Sequence, residues 1–438
     1  MQYDEALNYI SEIQKRGSVL GLDAIRILLD HLGNPQDQLK VIHVAGTNGK
    51  GSICTFLEAM YRAEGKRVGR YISPTLDSYL ERFQINGHTM EPTEFAGYMT
   101  DVAAIIHKME QENDPIPTAF EIETAIAFLF FVGQEADIVI LETGMGGRED
   151  ATNVVRHPIC TVFASIGMDH MQFLGDTIEK IAYEKAGILK DGCPAVTYPN
   201  PSTVLHVLEQ EANRHHAELV KVERDAIEIL SETLKETRFR YKEHIYTIRM
   251  PGTYQVYNAV TAIETKLLLD RTMQEGSLLQ AEWPGRFEVM SESPVFIRDG
   301  AHNVDGALAL KESIQKHFTN ENLIFIIGVL RDKEYEKMVK ILCPLAEQVY
   351  TITPDNERGL PAEKLRESIL PYCENVTVCA SVKEAVRLAG AKAEHERVQG
   401  TETVTIAWGS LSYLSLVGDA LKNMKKDKDM ETAVDMRK

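Results

Sequence analysis

Apolar and polar positions along the chain alternate between short apolar runs and stretches with helical spacing, and this pattern predicts an α/β fold. Short β-branched runs typical of buried strands are followed by stretches with helical spacing. In the first part of the chain, three runs are especially rich in aliphatic residues: 41–45, 137–141 and 159–166. After a polar stretch at Ser291–Ser293, further runs alternate with helical stretches and predict a second, mainly parallel sheet. These runs lie near 295–298, 323–328, 347–352, 375–379 and 403–407.

The pattern therefore predicts two domains, which the length of 438 residues also favours. We expect an N-terminal domain, 1–291, built on a P-loop-type, mainly parallel sheet. A smaller, Rossmann-like α/β domain is expected over 292–424. The segment 425–438 is strongly charged and is predicted to be a frayed tail.

Composition limits the kinds of partner and compartment. A formal net charge of −18 argues against a nucleic-acid or anionic-membrane surface, because both would repel the protein. The 6 cysteines form no C-x-x-C pair and no zinc spacing, so we expect reduced thiols. The chain opens on a charged amphipathic helix rather than a signal peptide, and no run approaches about 18 apolar residues. These features predict a soluble cytoplasmic protein with no nucleic-acid and no membrane partner.

The first aliphatic strand runs into a glycine-rich turn. The stretch from Val41 to Ser52 reads V-I-H-V-A-G-T-N-G-K-G-S, and a helical pattern follows it. A strand, a glycine turn with lysine, and a helix point backbone N–H groups and a helix N-terminus at a phosphate. The turn is not a strict Walker A sequence, since Val44 and Gly51 stand where glycine and a hydroxyl residue are required. An ordinary glycine turn is the alternative, but we expect a nucleotide-phosphate site formed by Thr47, Asn48, Gly49, Lys50, Gly51 and Ser52.

Two further strand ends carry side chains that complement Lys50. Glu142 directly follows the run 137–141, and His170 follows the run 159–166 after a short turn. A carboxylate after a buried strand is costly unless a cation meets it. Doubly wound sheets bind ligands at the carboxyl ends of their strands, so three endings with complementary chemistry predict one site.

Three other side chains each allow two interpretations. Lys185 lies on the inward stripe of the helix 177–188, where snorkelling or the helix dipole explains a lysine as readily as a functional role does. Ser73 ends the strand 67–72 and can deliver a hydroxyl oxygen to Mg²⁺, although the residues alone favour a Ser-Pro turn. Phe120, at the start of the helix 118–131, is on statistics alone a core residue.

The glycine turn G-T-N-G-K-G-S resembles the shortened P-loop of the folylpolyglutamate synthase and dihydrofolate synthase family, within the Mur ligase superfamily. The resemblance extends from about Leu20 to about Leu421, and later motifs match in order. The matching motifs are T-A-F-E from Thr118, D-A-T-N from Asp150, K-A-G-I from Lys185, N-A from Asn258, P-G-R-F-E from Pro284 and D-G-A-H-N from Asp299. Thr75, in S-P-T-L, and Tyr254 stand where the family usually has histidine.

The resemblance implies a nucleotide and metal site. Ser73 would bind magnesium, and Lys185 would be carbamylated so that its new carboxylate helps to hold the metal. We expect Glu142 and His170 to share this ion. The implied ATP contacts are Asn258 to adenine, Arg286 and Asp299, together with the phosphate loop. Asp299 and His302 open a predicted helix, so helix capping is the alternative for Asp299.

The resemblance also implies a pterin site and a set of catalytic residues. The pterin ring would stack on Phe120 and lie near the loop at Gly21 and Leu22. Expected substrate contacts are Leu22, Thr118, Phe120, Asp150 and Ala151. Expected catalytic residues are Lys50, His170, Lys185 and His302.

These parts imply an ATP- and Mg²⁺-dependent amide ligase. A carboxylate oxygen attacks the γ-phosphorus of ATP, and the α-amine of L-glutamate then displaces phosphate from the acyl phosphate. The resemblance makes the acceptor a folate such as tetrahydrofolate, and the D-A-T-N motif favours dihydropteroate as a second acceptor. We expect a monomer. Three alternatives stay open: a Mur-type ligase for a cell-wall precursor, a GTPase switch (although the N-K-x-D signature is missing) and a non-catalytic nucleotide-binding protein.

Overall fold

The computed structural model describes residues 1–15, 17 and 21–435, and describes side chains as far as 424. The chain packs as two compact units. The first comprises 1–230, 238–249 and 254–282, and the second comprises 231–237, 250–253 and the chain from 283. The sequence-based domain boundaries stay predictions. Of the linker 17–21 between the first two helices, only Gly17 and Gly21 lie within the described part.

The first unit is built around a mainly parallel sheet in the order β4-β3-β2-β5-β1-β6-β7-β8. Its strands are β1 Val41–Ala45, β2 Val68–Tyr71, β3 Phe83–Ile85, β4 His88–Thr89, β5 Ile138–Glu142, β6 Cys160–Phe163, β7 Ala195–Thr197 and β8 Leu219–Lys221. The pairs β2–β3 and β3–β4 are antiparallel, and the other pairs in this sheet are parallel. β1 and β5 are buried at every position, as their aliphatic sequences predict.

Helices cover this sheet, and a small second sheet follows it in the chain. The helices are α1 Tyr3–Gln14, α2 Asp23–His31, α3 Lys50–Ala63, α4 Pro92–Glu112, α5 Ala119–Gly133, α6 Met171–Leu174, α7 Ile178–Ala186, α8 Ser202–Arg214 and α9 Thr253–Asp270. The small sheet has the order β11-β10-β9, with β9 Ile227–Glu232, β10 Thr237–Tyr241 and β11 His244–Ile248. The apolar residues of α5, including Ile122, Ile126 and Phe131, form the core together with α2 and α4.

The strand register brings the predicted site residues to one edge of the sheet. β1 lies between β5 and β6 and is parallel to both. Val44 is opposite Glu142, and Ala45 is opposite Phe163. Tyr71 of β2 is opposite Leu141 of β5. The carboxyl ends of four neighbouring strands therefore lie side by side, where doubly wound sheets bind ligands.

The second unit contains a sheet in the order β12-β13-β17-β14-β15-β16. Its strands are β12 Glu288–Glu292, β13 Val295–Asp299, β14 Asn322–Ile327, β15 Gln348–Thr351, β16 Val376–Val378 and β17 Thr403–Trp408. β12 and β13 form an antiparallel pair, and the other pairings are parallel. The helices are α10 Val304–His317, α11 Tyr335–Leu342, α12 Ala362–Ile369, α13 Val382–Val398 and α14 Leu411–Asp435.

The predicted fold class is confirmed: two α/β units, each with a mainly parallel sheet. The five strands predicted beyond Ser293 are present, but β12 was missed because E-V-M-S-E is polar and only half-buried. The backbone of α14 continues to Asp435, residues 436–438 lie outside the described residues, and the expected fraying of 425–438 stays a prediction. In the described part of the chain, no helix has the length and hydrophobicity needed to cross a bilayer.

Candidate active site

The glycine turn after β1 is held in place by the segment that follows β6. The N–H groups of Thr47 and Asn48 both donate to Ser165 O, at 2.7 and 3.1 Å. Thr47 Oγ1 donates to Gly167 O and accepts from Gly167 N, each at 3.0 Å. These N–H groups of Thr47 and Asn48 therefore brace the turn, whereas we expected them to face a phosphate. The N–H groups of Lys50, Gly51 and Ser52 do not have this bracing role.

The first turn of α3 supplies the donors for an anion. Gly49 is the N-cap of α3 with φ 88, and Ile53 N makes the first helical bond to Gly49 O at 3.0 Å. The N–H groups of Lys50, Gly51 and Ser52 precede that bond, so the helix leaves them without an intrahelical acceptor. Such a helix start favours negative charge through both the N–H groups and the dipole.

Two lysines reach the turn, and both are largely buried. Lys50 Nζ lies 3.4 Å from Thr47 O and 3.7 Å from Glu142 Oε1. Lys185 Nζ donates to Gly46 O at 2.8 Å, and its side chain is almost fully buried. Burial, together with the charge of Lys50, lowers the pKa of Lys185 to about 7. The Lys50 ammonium therefore adds positive charge to a helix start, which suits a polyphosphate.

The residues predicted to bind magnesium come from three strand ends and one helix. Glu142 ends β5 and is buried beside Lys50. Ser73 follows β2 and is half-buried, and Lys185 is on the buried side of α7. His170 is the exposed N-cap of α6, with φ 50. Glu142, Lys50 and Lys185 meet at the glycine turn.

Oxygen atoms from Ser73 and Glu142 suit Mg²⁺, which prefers hard oxygen ligands and keeps several waters. Lys185 suits the ion only after conversion to an anionic group, because an ammonium repels a cation. Among the described residues, three His, Asp or Glu ligand atoms lie within 4.8 Å of one another only at His31, Glu112 and Asp114. A metal at the glycine turn therefore depends on the hydroxyl, the lysine and the phosphate oxygens as well as on Glu142.

Asn258 packs against the glycine turn. A Cβ on Gly49 would lie 2.5 Å from Asn258 Oδ1, so α9 approaches the turn as closely as glycine allows. Asn258 Nδ2 donates to Gln255 Oε1 at 3.0 Å, and both side chains are buried. In the described residues, Asn258 Oδ1 and Gln255 Nε2 make no hydrogen bond. A buried acceptor and a buried donor are thus available beside the phosphate loop; Gln255 was missed from sequence.

The predicted pterin contacts surround the start of α5. Thr118 caps α5 by accepting from Glu121 N, and Phe120 lies in the first turn. The Phe120 ring packs so closely on Gly144, after β5, that a Cβ there would lie 2.5 Å from Phe120 Cζ. The ring centroids of Tyr71 and Phe120 are 6.0 Å apart. The structure therefore brings Phe120 to the glycine-rich loop that follows Glu142.

Asp150 and Ala151 are buried in the same loop. The Asp150 carboxylate caps the 3₁₀ helix Ala151–Val154 by accepting from Thr152 N at 3.0 Å, and it also accepts from Met145 N at 2.8 Å. Burial raises the pKa of Asp150, and these hydrogen bonds oppose the rise. The carboxylate also accepts from Thr152 Oγ1, so it organises its own loop through at least three hydrogen bonds.

Glu121 joins the two sides of the predicted pterin site. This contact was not predicted from the sequence. Its Oε2 accepts from Thr118 N at 2.7 Å, and its Oε1 accepts from Ile25 N at 3.2 Å. Leu22 is the N-cap of α2, so Glu121 ties the start of α2 to the start of α5. The T-x-x-E spacing of a capping box was the available signal, but it reveals only the local half of this contact.

In the second unit, Asp299 ends β13, and its carboxylate connects two backbone segments. Its carboxylate accepts from Phe287 N at 2.7 Å and from Ala301 N at 2.8 Å. Burial raises the pKa of Asp299, and the nearby Arg286 opposes the rise. Helix capping is not its role, because α10 is capped by Asn303, which accepts from Gly306 N. His302 Nδ1 lies 2.8 Å from Gly300 O, so Nδ1 carries a proton.

Comparisons with known proteins agree with this geometry. Residues 44–265 match the Mur ligase middle domain, and residues 285–400 match the Mur ligase glutamate ligase domain. A dihydrofolate synthase/folylpolyglutamate synthase of Bacillus subtilis (strain 168) is 34% identical over 437 residues, covering 96% of this chain and 99% of that protein.

Two solved structures are similar over nearly the whole chain. Mycobacterium tuberculosis folylpolyglutamate synthase complexed with ADP and AMPPCP has a TM-score of 0.86 at 28% identity, covering 97% of this chain and 99% of that one. E. coli FolC in complex with DHPP and ADP has a TM-score of 0.81 at 28% identity, covering 98% and 100%.

The two domain matches, with the phosphate loop, define an ATP-dependent ligase of the Mur type. Within this class, the chain belongs to the folylpolyglutamate synthase/dihydrofolate synthase family. The family resemblance read from the sequence is thereby confirmed, and so are the expected ligase class, ATP binding and the link to folate metabolism.

Replacing Gly49 with alanine tests how closely Asn258 and the loop fit. Gly49→Ala combines a left-handed backbone with a contact of 2.5 Å to Asn258 Oδ1, so it should raise the KM for ATP at least about tenfold. Gly65→Ala is the matched control, since Gly65 has φ 77 and nothing within 4 Å of the added Cβ. Steady-state kinetics with both variants measure the effect. An equal change in both would show that backbone strain alone is responsible.

Proposed function

We propose that this ligase adds L-glutamate both to dihydropteroate and to the terminal γ-carboxylate of a reduced folate such as tetrahydrofolate. The observation that carries the proposal is the convergence of Phe120 and Asp150 on the loop that follows Glu142, next to the phosphate loop. A flat ring and a buried carboxylate suit a pterin, which stacks and presents a hydrogen-bond donor edge. The Bacillus subtilis relative carries both activities in its name, and E. coli FolC was solved with DHPP.

The acceptor carboxylate needs activation because a carboxylate is a poor electrophile. Its oxygen attacks the γ-phosphorus of ATP, the bond to the β-phosphate oxygen breaks, and ADP leaves. Lys50 and the first turn of α3 neutralise the charge on the phosphate oxygens. The α-amine of L-glutamate then attacks the acyl carbon of the acyl phosphate, loses a proton and expels inorganic phosphate. No nucleophilic side chain is required.

We propose that Asn258 and Gln255 select adenine. Asn258 Oδ1, beside Gly49, offers a buried acceptor, and Gln255 Nε2, on the neighbouring side chain, offers a buried donor. Adenine presents an amino donor beside a ring-nitrogen acceptor, which is the complementary pair. Guanine has a carbonyl acceptor in place of that amino group, so the pair disfavours GTP.

Ser73, Glu142 and His170 are the residues that we propose hold Mg²⁺, assisted by Lys185. When bound, the ion neutralises phosphate charge. Lys185 fits this role as a carbamate, formed when its neutral amine adds to carbon dioxide and loses a proton. Its buried position favours the neutral amine that this addition needs.

The remaining assignments rest on the family resemblance. Arg286 and Asp299 are proposed to serve ATP, and His302 to act in catalysis. A monomer in a reducing cytoplasm is also proposed. The 6 cysteines, all free and all buried, support the reducing compartment.

Dual activity predicts that dihydropteroate, ATP, Mg²⁺ and L-glutamate yield dihydrofolate and ADP in equal amounts. Tetrahydrofolate in place of dihydropteroate should yield its polyglutamate. Product chromatography and coupled ADP release measure both reactions. Turnover of tetrahydrofolate with none of dihydropteroate would contradict the dual activity. Turnover of a cell-wall precursor, or of GTP in preference to ATP, would favour the alternatives.

Carbamylation of Lys185 predicts a labelled carbamate. Enzyme equilibrated with ¹³C-bicarbonate should show a carbamate resonance by ¹³C NMR, and Lys185→Ala should lack that resonance and nearly all activity. Lys180→Ala is the matched control, because Lys180 is on the same helix but exposed and paired with Asp176. A resonance that survives in Lys185→Ala, or wild-type activity with no resonance, would contradict the assignment.

A further inference from the structure

A chain of buried hydrogen bonds runs from the middle of β1 to Asp150. His43 lies at the centre of β1, opposite Leu141 of β5 and Thr161 of β6. His43 Nε2 is 2.7 Å from Thr152 Oγ1, and Thr152 Oγ1 donates to Asp150 Oδ1 at 2.5 Å. His43 and Thr152 have no exposed surface. None of the roles assigned above uses His43.

With an ionised Asp150, the number of available protons decides which group donates in each of these hydrogen bonds. A hydroxyl has one hydrogen and an ionised carboxylate has none, so Thr152 gives its hydrogen to Asp150. Thr152 Oγ1 must then accept from His43, which places the imidazole proton on Nε2. Burial and the charge of Lys190 lower the pKa of His43 to about 3, so the ring is neutral. His43 Nδ1 is then a bare acceptor, without a hydrogen bond among the described residues.

The reverse arrangement is less favourable. A protonated Asp150 would donate to Thr152, and Thr152 would donate to His43 Nε2. The imidazole proton would then be on Nδ1, where it would be a buried donor without an acceptor. Both arrangements leave Nδ1 unpaired, but proteins tolerate an orphaned buried N–H less often than an under-satisfied acceptor. The surroundings of His43 therefore favour the arrangement in which Asp150 is ionised.

We propose that His43 is a positioning residue for the substrate pocket: through Thr152 it holds the Asp150 carboxylate ionised and in one orientation, ready for the donor edge of a pterin-type ring. This inference rests on the proposed function, which places Asp150 in that pocket. Fixing an acceptor before the ligand arrives removes an ordering cost from binding. β1 then positions two features at once, the phosphate loop through its carboxyl end and Asp150 through its central side chain.

Four variants separate this role from simple packing. His43→Leu and Thr152→Val each break the chain while keeping a buried side chain of similar size. His43→Gln and Thr152→Ser each preserve it, because the glutamine amide reaches about as far as imidazole Nε2 and serine keeps the hydroxyl. Steady-state kinetics are measured with dihydropteroate, or with tetrahydrofolate, and with ATP for each variant, alongside thermal unfolding.

The two chain-breaking variants should raise the KM for the pterin substrate about tenfold or more. Thr152→Val removes a hydrogen bond to the charged carboxylate, and His43→Leu removes the donor that orients the Thr152 hydroxyl toward it. The KM for ATP should change less than about twofold, since the phosphate loop is not altered. His43→Gln and Thr152→Ser should stay within about threefold of wild type. The double variant His43→Leu/Thr152→Val should be no worse than the poorer single variant, because both break one chain.

Equal increases in the KM for the pterin substrate and for ATP, or an equal loss in His43→Gln and His43→Leu, would overturn the inference and leave His43 a packing residue. Histidine ¹⁵N NMR gives a test that needs no turnover. The resonance absent from His43→Gln identifies His43, and it should report a neutral ring protonated on Nε2. A proton on Nδ1 would overturn the inference. A wild-type enzyme that turns over no pterin substrate would refute the proposed function alone, since the NMR result stands by itself.

Discussion

The structure depends on two lysine amines held against the carbonyl oxygens of one glycine turn. Lys185 Nζ bonds Gly46 O at 2.8 Å, and Lys50 Nζ lies between Thr47 O and Glu142. A largely buried cation is costly unless an anion compensates it. Glu142, at the end of β5, meets the Lys50 ammonium, whereas burial favours the neutral amine of Lys185. A nucleotide polyphosphate at the start of α3, as proposed above, would add to the compensation of Lys50. The parallel sheet sets these strand ends side by side.

The same sheet connects the phosphate loop to the pocket for the acceptor. The loop after β5 follows Glu142, packs against Phe120 at Gly144 and ends in the turn that Asp150 caps. Glu121 extends this framework to α2 by accepting from Ile25 N. The proposed acceptor and nucleotide sites thus lie on adjacent strand ends. This closeness is what the transfer of a γ-phosphoryl group to a carboxylate requires.

Local patterns predicted the fold and placed Lys50 and Glu142 at neighbouring strand ends, whereas contacts between distant segments were not predictable. The aliphatic runs located β1 and β5 and, with them, Lys50 and Glu142, because burial on both faces leaves a strong sequence signal. The use of Thr47 N to brace Ser165 was not visible, since it depends on the path of a separate segment. The pairing of His43 with Thr152 spans 109 residues, and neither residue type is unusual at its position.

The transfer of an oxygen atom from the acceptor carboxylate to phosphate tests whether the reaction passes through an acyl phosphate. Dihydropteroate labelled with ¹⁸O in its carboxylate is incubated with enzyme, ATP, Mg²⁺ and L-glutamate, and the phosphate and nucleotide are analysed by mass spectrometry. An acyl phosphate requires one carboxylate oxygen to leave with each phosphate released, because the amine displaces that oxygen together with the phosphoryl group. We expect one ¹⁸O atom in inorganic phosphate and none in ADP. Unlabelled phosphate, or label in AMP, would contradict this expectation.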